Sequence, residues 1–487
     1  MATSVRQLIK RRKNRLHRDT SRVIKRTHIP TNFSRIKRIA DRVLVLQESH
    51  AADLLQEVLA SFSSRHKNIE LSLAENFKKV CDYIDPAIDI SYTKQILIGA
   101  YFTMEYSVES AALFNPSIVP HPNQSSLESG ELRFIMSLRA TGEGHISSIV
   151  FRTGLIEEDG AVAFDNITDF LQTPKMIHDP YYMRDLFQMK LQDMGVWDDT
   201  SIKIIERLPD VFTFNDLTES ILQVHQDTEF ESNEKTLVKI KWLANSNYKI
   251  RFDAKSKISE RVIFPVSENE SRGIEDARFV RFSDDNGEIT YYATYTAYNG
   301  YNILPQLIET KDFLTFNIIT LNGAAVQNKG MALFPRKIKG KYVMLGRQDG
   351  ENNYILYSDH LHFWQEAILI QEPLEPWEFI QIGNCGSPIE ISEGWLVLTH
   401  GVGAMRQYFM GALLLDLNDP SKVIARLNEP LLSPTEEERE GYVPNVIYSC
   451  GALIHNNRLV IPYAMSDITS GIATIKVDDL LKCMDRV

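Results

Sequence analysis

The feature that most constrains the fold is a succession of short apolar runs, which begins near Tyr92 and continues almost to the C-terminus. Glycine, proline, asparagine or aspartate separates each run from the next. Representative runs lie at 132–136, 147–151, 342–345, 394–398, 412–415 and 458–461. Runs this short, bounded by turn residues, are typical of β-strands, because helices need longer periodic segments. The pattern predicts an all-β fold of the sandwich, barrel or propeller type.

Two stretches depart from this pattern and predict helices. In residues 33–84 the apolar side chains recur at helical spacing and glycine is absent, and Pro86 closes the region. A second helical stretch interrupts the strands at about 173–245, where 183–194 and 216–225 have helical patterns. We therefore predict an N-terminal unit over 1–90, which is a candidate oligomerisation element. A β-domain with a helical insertion follows over 91–487.

The N-terminus is strongly basic. Between Arg6 and Arg26 ten lysines and arginines accompany a single acid, Asp19. Such a run either contacts an anionic surface or nucleic acid, or forms a solvated arm or helix that packs on an acidic neighbouring subunit. We favour the second interpretation, because the whole chain has a net charge of -11 and general affinity for nucleic acid is not expected.

Composition places the chain among ordinary globular proteins, with 44% apolar and 24% charged residues. No apolar run approaches the length of a membrane helix, and the first residues lack the hydrophobic core of a secretion signal. The four cysteines are widely spaced and form no CxxC pair. We expect reduced thiols, a cytoplasmic location, no membrane contact and no metal site.

The most informative motif for chemistry is the segment 271–278, which places Glu275 and Asp276 between Arg272 and Arg278. Strand-like runs flank it, and Gly273 permits a sharp turn of the backbone. Carboxylates held beside arginines at a strand-loop junction are typical of acid/base chemistry on sugars or phosphates. A surface turn with exposed ion pairs is the alternative, and such pairs contribute little to stability.

An ordered series of motifs then resembles glycoside hydrolase family 130, the β-mannoside phosphorylases and related mannosidases. The motifs are FNPS at 114–117, GIEDAR at 273–278, TYTAY at 294–298, NKGMALFP at 328–335, KGKY at 339–342, GWL at 394–396 with THGV at 399–402, GYVPNV at 441–446 and AMSD at 464–467. The resemblance extends from about Ser107 to the C-terminus, apart from the helical insertion. It implies a five-bladed β-propeller with the sugar bound in its central depression.

The resemblance also implies roles for individual residues. Asp276 matches the aspartate that serves as the acid, whose proton is thought to pass through a hydroxyl of the bound mannose. Asn115, Arg139 and Asp467 match positions that bind mannose. Tyr295 and Tyr298 are candidates for stacking on the sugar, although strand tyrosines are more often packing residues. We expect Glu275 to pair with Arg272 or Arg278 and so to fix the loop.

The attacking group decides between the two activities of the family. Inverting hydrolysis needs a carboxylate base that activates water, whereas phosphate is already a nucleophilic anion and needs cationic donors that hold it in line. The expected phosphate-binding residues are Asn328, Lys329, Arg347 and His400, with Arg406 as a further candidate. Phosphorylases typically have arginine before the Asn-Lys pair, and this chain has Gln327 instead. Arg336 is a further cation that would compensate.

We therefore expect inverting phosphorolysis of terminal β-mannosides that gives α-mannose 1-phosphate, with a small oligosaccharide and inorganic phosphate as substrates and no cofactor. A second copy of this chain is a candidate partner in a homo-oligomer, and no nucleic-acid partner is expected. The first alternative is an inverting β-mannosidase that uses water, for which Asp349, Glu351, Glu390 or Glu440 would be the base. A carbohydrate-binding propeller without turnover is the second alternative. The Asp276 motif together with His400 argues against it.

Overall fold

The computed structural model describes residues 4–177, 181–227, 232–300 and 303–487. Within these ranges the chain is mostly β-structure, and most of its strands fall into five antiparallel groups in approximate sequence order, of which the first two form one continuous sheet. Two further two-stranded pairs lie outside these groups. The first group contains Ala112–Pro120, Leu132–Thr141, Ser147–Ile156 and Val162–Phe164, and Val262–Ile263 joins its third strand. The apolar runs at 132–136 and 147–151 lie in these strands, as the sequence predicts.

The second and third groups continue the same antiparallel arrangement. The second contains Gly273–Ser283, Ile289–Tyr298, Ile303–Thr310, Thr315–Thr320, Tyr248–Arg251 and Lys175–Ile177. The third contains Ala332–Leu333, Tyr342–Gly346, Asn353–Ser358 and Ala367–Gln371. A single pairing of Gly273 with Ser147 joins the second group to the first.

The last two groups include strands from the ends of the chain. The fourth contains Gln381–Asn384, Ile389–Ile391, Gly394–Val402, Tyr408–Leu415, Val423–Arg426 and Asp485–Arg486. The fifth contains Ile447–Tyr448, Leu453–His455, Arg458–Met465, Thr469–Lys476 and Lys10–Leu16.

The hydrophobic core is divided among the contacts between neighbouring groups. Phe151 and Phe279 pack the first group on the second, and Phe282 and Met344 pack the second on the third. Similar clusters join the third group to the fourth, around Trp395, and the fourth to the fifth. A further cluster packs Phe134 of the first group against strands of the fifth. Each group therefore buries its apolar side chains against two others.

Most helices lie within the two predicted stretches, but Tyr92–Tyr101 is a helix at the point where the sequence pattern predicts strands to begin, since the short apolar run at 96–98 is compatible with either structure. The N-terminal ones are Phe33–Leu44, Glu48–Phe62, Ile69–Lys78 and Tyr92–Tyr101, with a 3-10 turn at Cys81–Tyr83. The insertion contains Arg184–Asp193, Asp199–Ile205, Phe214–Gln226 and Glu234–Asn245, and a short pairing of Tyr182–Met183 with Val211–Phe212. Short helices at Val5–Leu8 and Val477–Lys482 complete the set. No helix among the described residues combines the length and apolar character needed to cross a bilayer.

The basic N-terminus differs from the expected solvated arm. Lys10–Leu16 pairs with Thr469–Lys476, and Val23–Thr27 pairs with Thr103–Ser107, so both basic segments are strands within this chain. The cations find acidic partners in the same chain: Arg11 bonds to Glu438 and Arg22 to Glu109. The run of positive charge does not require a solvated arm, because alternate side chains of a strand can point to solvent while its backbone pairs within a sheet.

Candidate active site

The two acids of the 271–278 segment lie inside a strand, not in a loop between strands. Glu275 and Asp276 belong to Gly273–Ser283, and the register with the neighbouring strand shifts between Glu275 and Arg278. Asp276 has a φ of 56°, a left-handed conformation that is uncommon outside glycine. Because of this bulge, the two carboxylates turn toward the same guanidinium instead of pointing to opposite faces.

Arg139 is that shared guanidinium. Its Nη2 donates to Glu275 Oε1 at 2.7 Å and its Nη1 to Asp276 Oδ1 at 3.3 Å, while its Nε donates to Ser147 Oγ at 2.9 Å. Phe114 packs under the same group, 5.0 Å from ring centroid to guanidinium carbon. The side chain is therefore fixed in position by two acids, a hydroxyl and an aromatic face.

Asn115 completes the environment of the candidate acid. Its Nδ2 donates to Asp276 Oδ1 at 2.7 Å, and a bulge with a φ of 48° at Asn115 turns the side chain toward the site. Its Oδ1 is buried, and no described residue forms a hydrogen bond with it. A buried amide oxygen without a partner is an acceptor available to a ligand hydroxyl.

The charges around Asp276 set its protonation state. Burial raises the pKa of Asp276, but Arg139, the hydrogen bond from Asn115, and the positive charges of Lys329 and Arg278 together hold it below its usual value. The carboxyl is therefore ionised in the free site. An ionised carboxylate is an acceptor for sugar hydroxyls, and it becomes an acid only after it gains a proton.

Asp467 has the opposite shift. Burial, the negative charge of Asp276 and that of Glu275 raise its pKa to about 7, against the opposing effect of Arg139. The residue follows Ser466 in a turn where both have left-handed backbones, at φ 48° and 53°. Asp467 thus interacts electrostatically with Asp276, Glu275 and Arg139, as a carboxyl that loses its proton only near neutral pH.

Glu275 has partners other than those predicted. Besides Arg139 it accepts a hydrogen bond from Lys329 Nζ at 2.6 Å, whereas Arg272 is an exposed residue. Arg278 is buried and faces away, donating to Gly330 O at 3.2 Å, to both oxygens of Asn384, and to Tyr448 Oη at 2.5 Å. The expectation that Arg272 or Arg278 fixes Glu275 is wrong. The bulge turns the carboxylates and Arg278 toward different partners.

Tyr295 lines the same cavity as Asp276, but it is largely buried. It is 3% exposed, and its hydroxyl donates to Glu270, which also accepts from Tyr248. Its role in stacking on the sugar stays a prediction. Tyr298 is half-buried, with its hydroxyl on Gly300 O.

The predicted anion-binding residues form a second cluster. Arg347 Nη1 lies 3.2 Å from His400 Nε2, and His400 Nδ1 lies 3.3 Å from Asn384 O. Since a guanidinium only donates and a carbonyl only accepts, His400 carries its proton on Nδ1 and accepts on Nε2. Burial, Arg347 and Arg278 hold the pKa of His400 well below its usual value. His400 is therefore a neutral support for Arg347.

Arg347 is the cation best placed to hold an anion. Within the described ranges its buried Nε has no hydrogen-bond partner, and no carboxylate lies at salt-bridge distance from it. Lys329, in contrast, is paired with Glu275, and Arg406 is exposed in a turn with a φ of 55°. Asn328, at a φ of 64°, accepts from the Lys329 backbone NH at 2.9 Å.

Gln327 stands where arginine is typical of the family. It is exposed, and its Nε2 donates to Ala324 O at 2.8 Å within its own turn. Arg336, one of the cations that would compensate, is bound through both Nε and Nη2 to Glu390. The positive charge available for an anion therefore rests chiefly on Arg347.

Four acids are candidates for the base of a hydrolase, and two of them are engaged elsewhere. Glu390 is paired with Arg336. Asp349 accepts from two backbone NH groups, from Asn352 and from Tyr354, and these bonds lower its pKa to about 2 despite partial burial. Glu351 and Glu440 are exposed. Among the described residues, no group of three potential ligands has the arrangement of a metal site.

Comparison with known proteins identifies the family of this chain. A model of the family described as beta-1,4-mannooligosaccharide phosphorylase matches residues 219–486, which is more than half of the chain. The chain belongs to glycoside hydrolase family 130. The match begins within the helical insertion, whereas the resemblance was expected from about Ser107. Asn115 and Arg139 lie outside the matched residues, and their place in the site rests on their contacts with Asp276.

The relatives of this chain in glycoside hydrolase family 130 include phosphorylases whose names specify different mannosidic linkages. It is 34% identical over 251 residues to the 1,2-beta-oligomannan phosphorylase of Thermoanaerobacter sp. (strain X514), covering 49% of this chain and 81% of the relative. It is 32% identical over 239 residues to the beta-1,4-mannooligosaccharide phosphorylase of Ruminococcus albus, covering 46% and 70%. The solved beta-1,2-mannobiose phosphorylase of Listeria innocua aligns at 24% identity and a TM-score of 0.45, over 78% of this chain and 92% of that one.

Proposed function

We propose that this chain cleaves terminal β-mannosidic linkages by phosphorolysis and releases α-mannose 1-phosphate. The observation that carries the proposal is the pairing of Arg347 with a neutral His400, which leaves a cation without a carboxylate partner among the described residues. An anion is the natural ligand of such a cation. The names of the relatives, all phosphorylases of β-mannosides, support the same reaction.

The proposed architecture is a five-bladed β-propeller. Its support is the presence of five antiparallel strand groups, each packed on two others, with the fifth packed on the first. In a propeller the blades surround a central depression. Asn115, Asp276, Asn328 and Asp467, which all have left-handed backbones, come from four of the groups or their connections, as a site at the centre of such a ring requires.

In the proposed reaction a phosphate oxygen attacks the anomeric carbon from the face opposite the glycosidic oxygen. The new carbon–oxygen bond forms as the glycosidic bond breaks, which converts a β-linkage into an α-phosphate. The departing oxygen takes a proton that Asp276 supplies through a mannose hydroxyl. Sugar binding excludes water from Asp276 and competes for the hydrogen bonds of Arg139 and Asn115, which raises the pKa of Asp276 toward the range of an acid.

Hydrolysis is the second candidate, and two observations favour it. Gln327 contributes no charge, and Lys329 is partly neutralised by Glu275. Both reduce the positive charge available for phosphate.

The deciding experiment incubates the purified chain with β-1,2-mannobiose, β-1,4-mannobiose and mannosylglucose, with and without inorganic phosphate, and identifies the products by phosphorus and proton NMR. We expect phosphate-dependent formation of α-mannose 1-phosphate. Release of free mannose at the same rate without phosphate would overturn phosphorolysis in favour of hydrolysis.

The acid is tested by Asp276→Asn, with Glu390→Gln as a control that alters a surface acid. Loss of general acid catalysis lowers kcat by roughly 10²–10⁴-fold, while the amide can keep the contact with Asn115 and preserve the fold. Glu390→Gln should retain wild-type kcat. Near-normal kcat in Asp276→Asn would remove Asp276 from this role, and unchanged sugar affinity in a chain without any turnover would indicate a binding protein.

A further inference from the structure

A second cavity lies between the helical insertion and the second group of strands. Its volume is about 460 Å³, which falls within the range of about 300–1,000 Å³ typical of sites for small ligands. Among the residues that the structure describes, this insertion cavity shares no lining residue with the cavity of Asp276. None of the family motifs lies in its wall, and no step of the proposed reaction uses it.

One wall of the insertion cavity is the last helix of the insertion. Glu234–Asn245 has one face in the apolar core of the insertion. A second face, formed by residues three and four positions apart, lines the cavity. Its members are Val238, Lys241, Trp242 and Asn245. The helix is therefore packed on one side and open to the cavity on another.

The apolar part of the wall comes from three separate segments. Met176 is 40% exposed, Val238 65% and Val266 42%, and each of them lines the cavity. They belong to a strand of the second group, to the insertion helix and to the loop before the segment 271–278. Trp242, which is half-buried, adds a large aromatic surface. Exposed apolar side chains that gather in one concave place indicate a binding site, whereas scattered ones do not.

A buried amide gives the cavity a hydrogen-bonding group. Asn269 is 4% exposed and lines the cavity. Its Nδ2 donates to Ser246 Oγ, whereas no described residue donates to its Oδ1. Buried polar atoms normally have partners, so this oxygen is an acceptor for a ligand hydroxyl. Asn245, which is exposed at the end of the helix, supplies a second amide at the rim.

The charges on the wall cancel. Within the described ranges, the charged residues that line the cavity are Lys241 and Glu268, and both are exposed. One positive and one negative side chain favour neither an anion nor a cation. The wall is therefore suited to a neutral ligand that combines apolar surface with hydroxyl groups. A sugar ring has this character, and its apolar face packs on an aromatic side chain such as Trp242.

Buried side chains separate the insertion cavity from the cavity of Asp276. Tyr248 lines the first and Tyr295 lines the second. Both hydroxyls donate to Glu270, which is fully buried between them. A molecule in the insertion cavity is therefore a second ligand, and not an extension of the sugar that reaches Asp276.

We propose that the insertion cavity is a second binding site for a neutral oligosaccharide, filled independently of the cavity of Asp276. A sugar ring packs on Trp242, and its hydroxyls bond to Asn269 Oδ1 and to the amide of Asn245. The choice of a β-mannoside as this oligosaccharide rests on the proposed function, because it is the sugar that the enzyme cleaves. Such a site holds substrate on the enzyme and takes no part in the cleavage itself.

The test counts the β-1,2-mannotriose molecules bound per chain by isothermal titration calorimetry. The parent protein carries Asp276→Asn and is studied without phosphate, so that the sugar is not consumed. Trp242→Ala removes the aromatic surface, and Val238→Arg places a long side chain in the cavity. We expect each change to abolish one binding event or to raise its Kd by about tenfold.

Leu222→Arg is the matched control for Val238→Arg. Leu222 is 54% exposed on the insertion helix Phe214–Gln226 and does not line the cavity, so this variant should bind as its parent does. In proteins that retain Asp276, Trp242→Ala and Val238→Arg should cleave β-mannobiose with the kcat and KM of the wild type.

Three outcomes separate this site from the proposed reaction. Equal stoichiometry and affinity in the parent, Trp242→Ala and Val238→Arg would overturn the second site. A change of oligomeric state in Val238→Arg, measured by light scattering, with sugar binding unchanged would also overturn it, because the face would then be a contact between copies of this chain. Cleavage by the wild type that does not depend on phosphate overturns phosphorolysis and leaves the binding comparison intact, since that comparison involves no turnover.

Discussion

At the residue scale, the decisive feature is a set of left-handed backbone positions. Asn115, Asp276, Asn328 and Asp467 all have φ between 48° and 64°. Each interrupts the alternation of a strand or begins a turn, and so redirects a polar side chain that would otherwise follow the pleat. Asn and Asp tolerate this conformation better than most residues. The chemistry of the site therefore depends on local strain that the surrounding sheets maintain.

Replacement of Arg347 tests the anion site directly. Arg347→Gln removes a guanidinium that has no acidic partner among the described residues, so phosphate loses a charge-assisted hydrogen bond worth roughly 1.5–3 kcal/mol. We expect KM for phosphate to rise at least about tenfold, with little change in KM for β-mannobiose. Steady-state kinetics with each substrate varied in turn gives both constants. Arg35→Gln, at an exposed position of the N-terminal helix Phe33–Leu44, is the control, and an unchanged phosphate KM in Arg347→Gln would place the anion elsewhere.

Asp467 should make stability depend on pH. Its folded pKa is raised from 3.8 to about 7, so the folded state keeps a proton that the unfolded chain loses. The contribution of Asp467 to the free energy of unfolding is therefore fully present below about pH 4, and it decreases as the pH rises to about 7. Asp467→Asn removes that decline. Urea unfolding of both proteins at pH 5 and pH 8 measures it, and equal differences between the two proteins at both pH values would contradict the raised pKa.

At the element scale, the N-terminal strand has an unexpected structural role. Lys10–Leu16 pairs with Thr469–Lys476, so the start of the chain completes the sheet formed by its end. The preceding Val5 is fully buried in the cluster that joins the fourth and fifth groups, and its backbone NH donates to Glu429. A sheet that combines strands from both ends of the described chain has non-local contacts. These contacts cost loop entropy and stabilise the protein only when the whole sheet forms.

Val5→Asp tests this closure. The substitution places a charge in an apolar cluster beside Glu429, at a cost of several kcal/mol, and we expect a lower thermal midpoint by several degrees or failure to fold. Lys13→Asp, at an exposed position of the adjoining strand, should remain close to wild type. Thermal unfolding followed by circular dichroism compares them. Equal midpoints for Val5→Asp and wild type would show that the N-terminal segment does not stabilise the sheet.

At the scale of the whole molecule, a buried lysine contributes to anchoring the helical insertion. Lys190 Nζ, on the helix Arg184–Asp193, donates to Thr320 O at 2.6 Å and to Thr320 Oγ1 at 2.8 Å. Burial lowers the pKa of Lys190 to about 7, and Lys190 in turn contributes to the lowered pKa of His362. The amine links the insertion to the last strand of the second group without a carboxylate partner among the described residues.

Lys190→Met should change how stability depends on pH. Because the pKa of Lys190 is lower in the folded state than its usual 10.5, the unfolded chain binds the proton more tightly. The free-energy cost of burying the protonated amine is therefore fully present below about pH 7, and it decreases as the pH rises toward 10.5. Wild type should gain stability over Lys190→Met between pH 7.5 and pH 9.5, by at most about 1.4 kcal/mol per pH unit. Urea unfolding at several pH values measures the difference. A constant difference would mean that Lys190 titrates normally.

The sequence by itself determined the strand-rich class, the helical stretches and the family, because short apolar runs, helical periodicity and local motifs are properties of neighbouring residues. It also identified Asp276, Arg347 and His400 as residues of interest. Only the tertiary structure decided which groups meet. It pairs Glu275 with Lys329 and Arg139, buries Tyr295 and makes His400 a support for Arg347. These pairings depend on bulges, sheet register and burial, which arise from contacts between distant segments and leave no local pattern in the sequence.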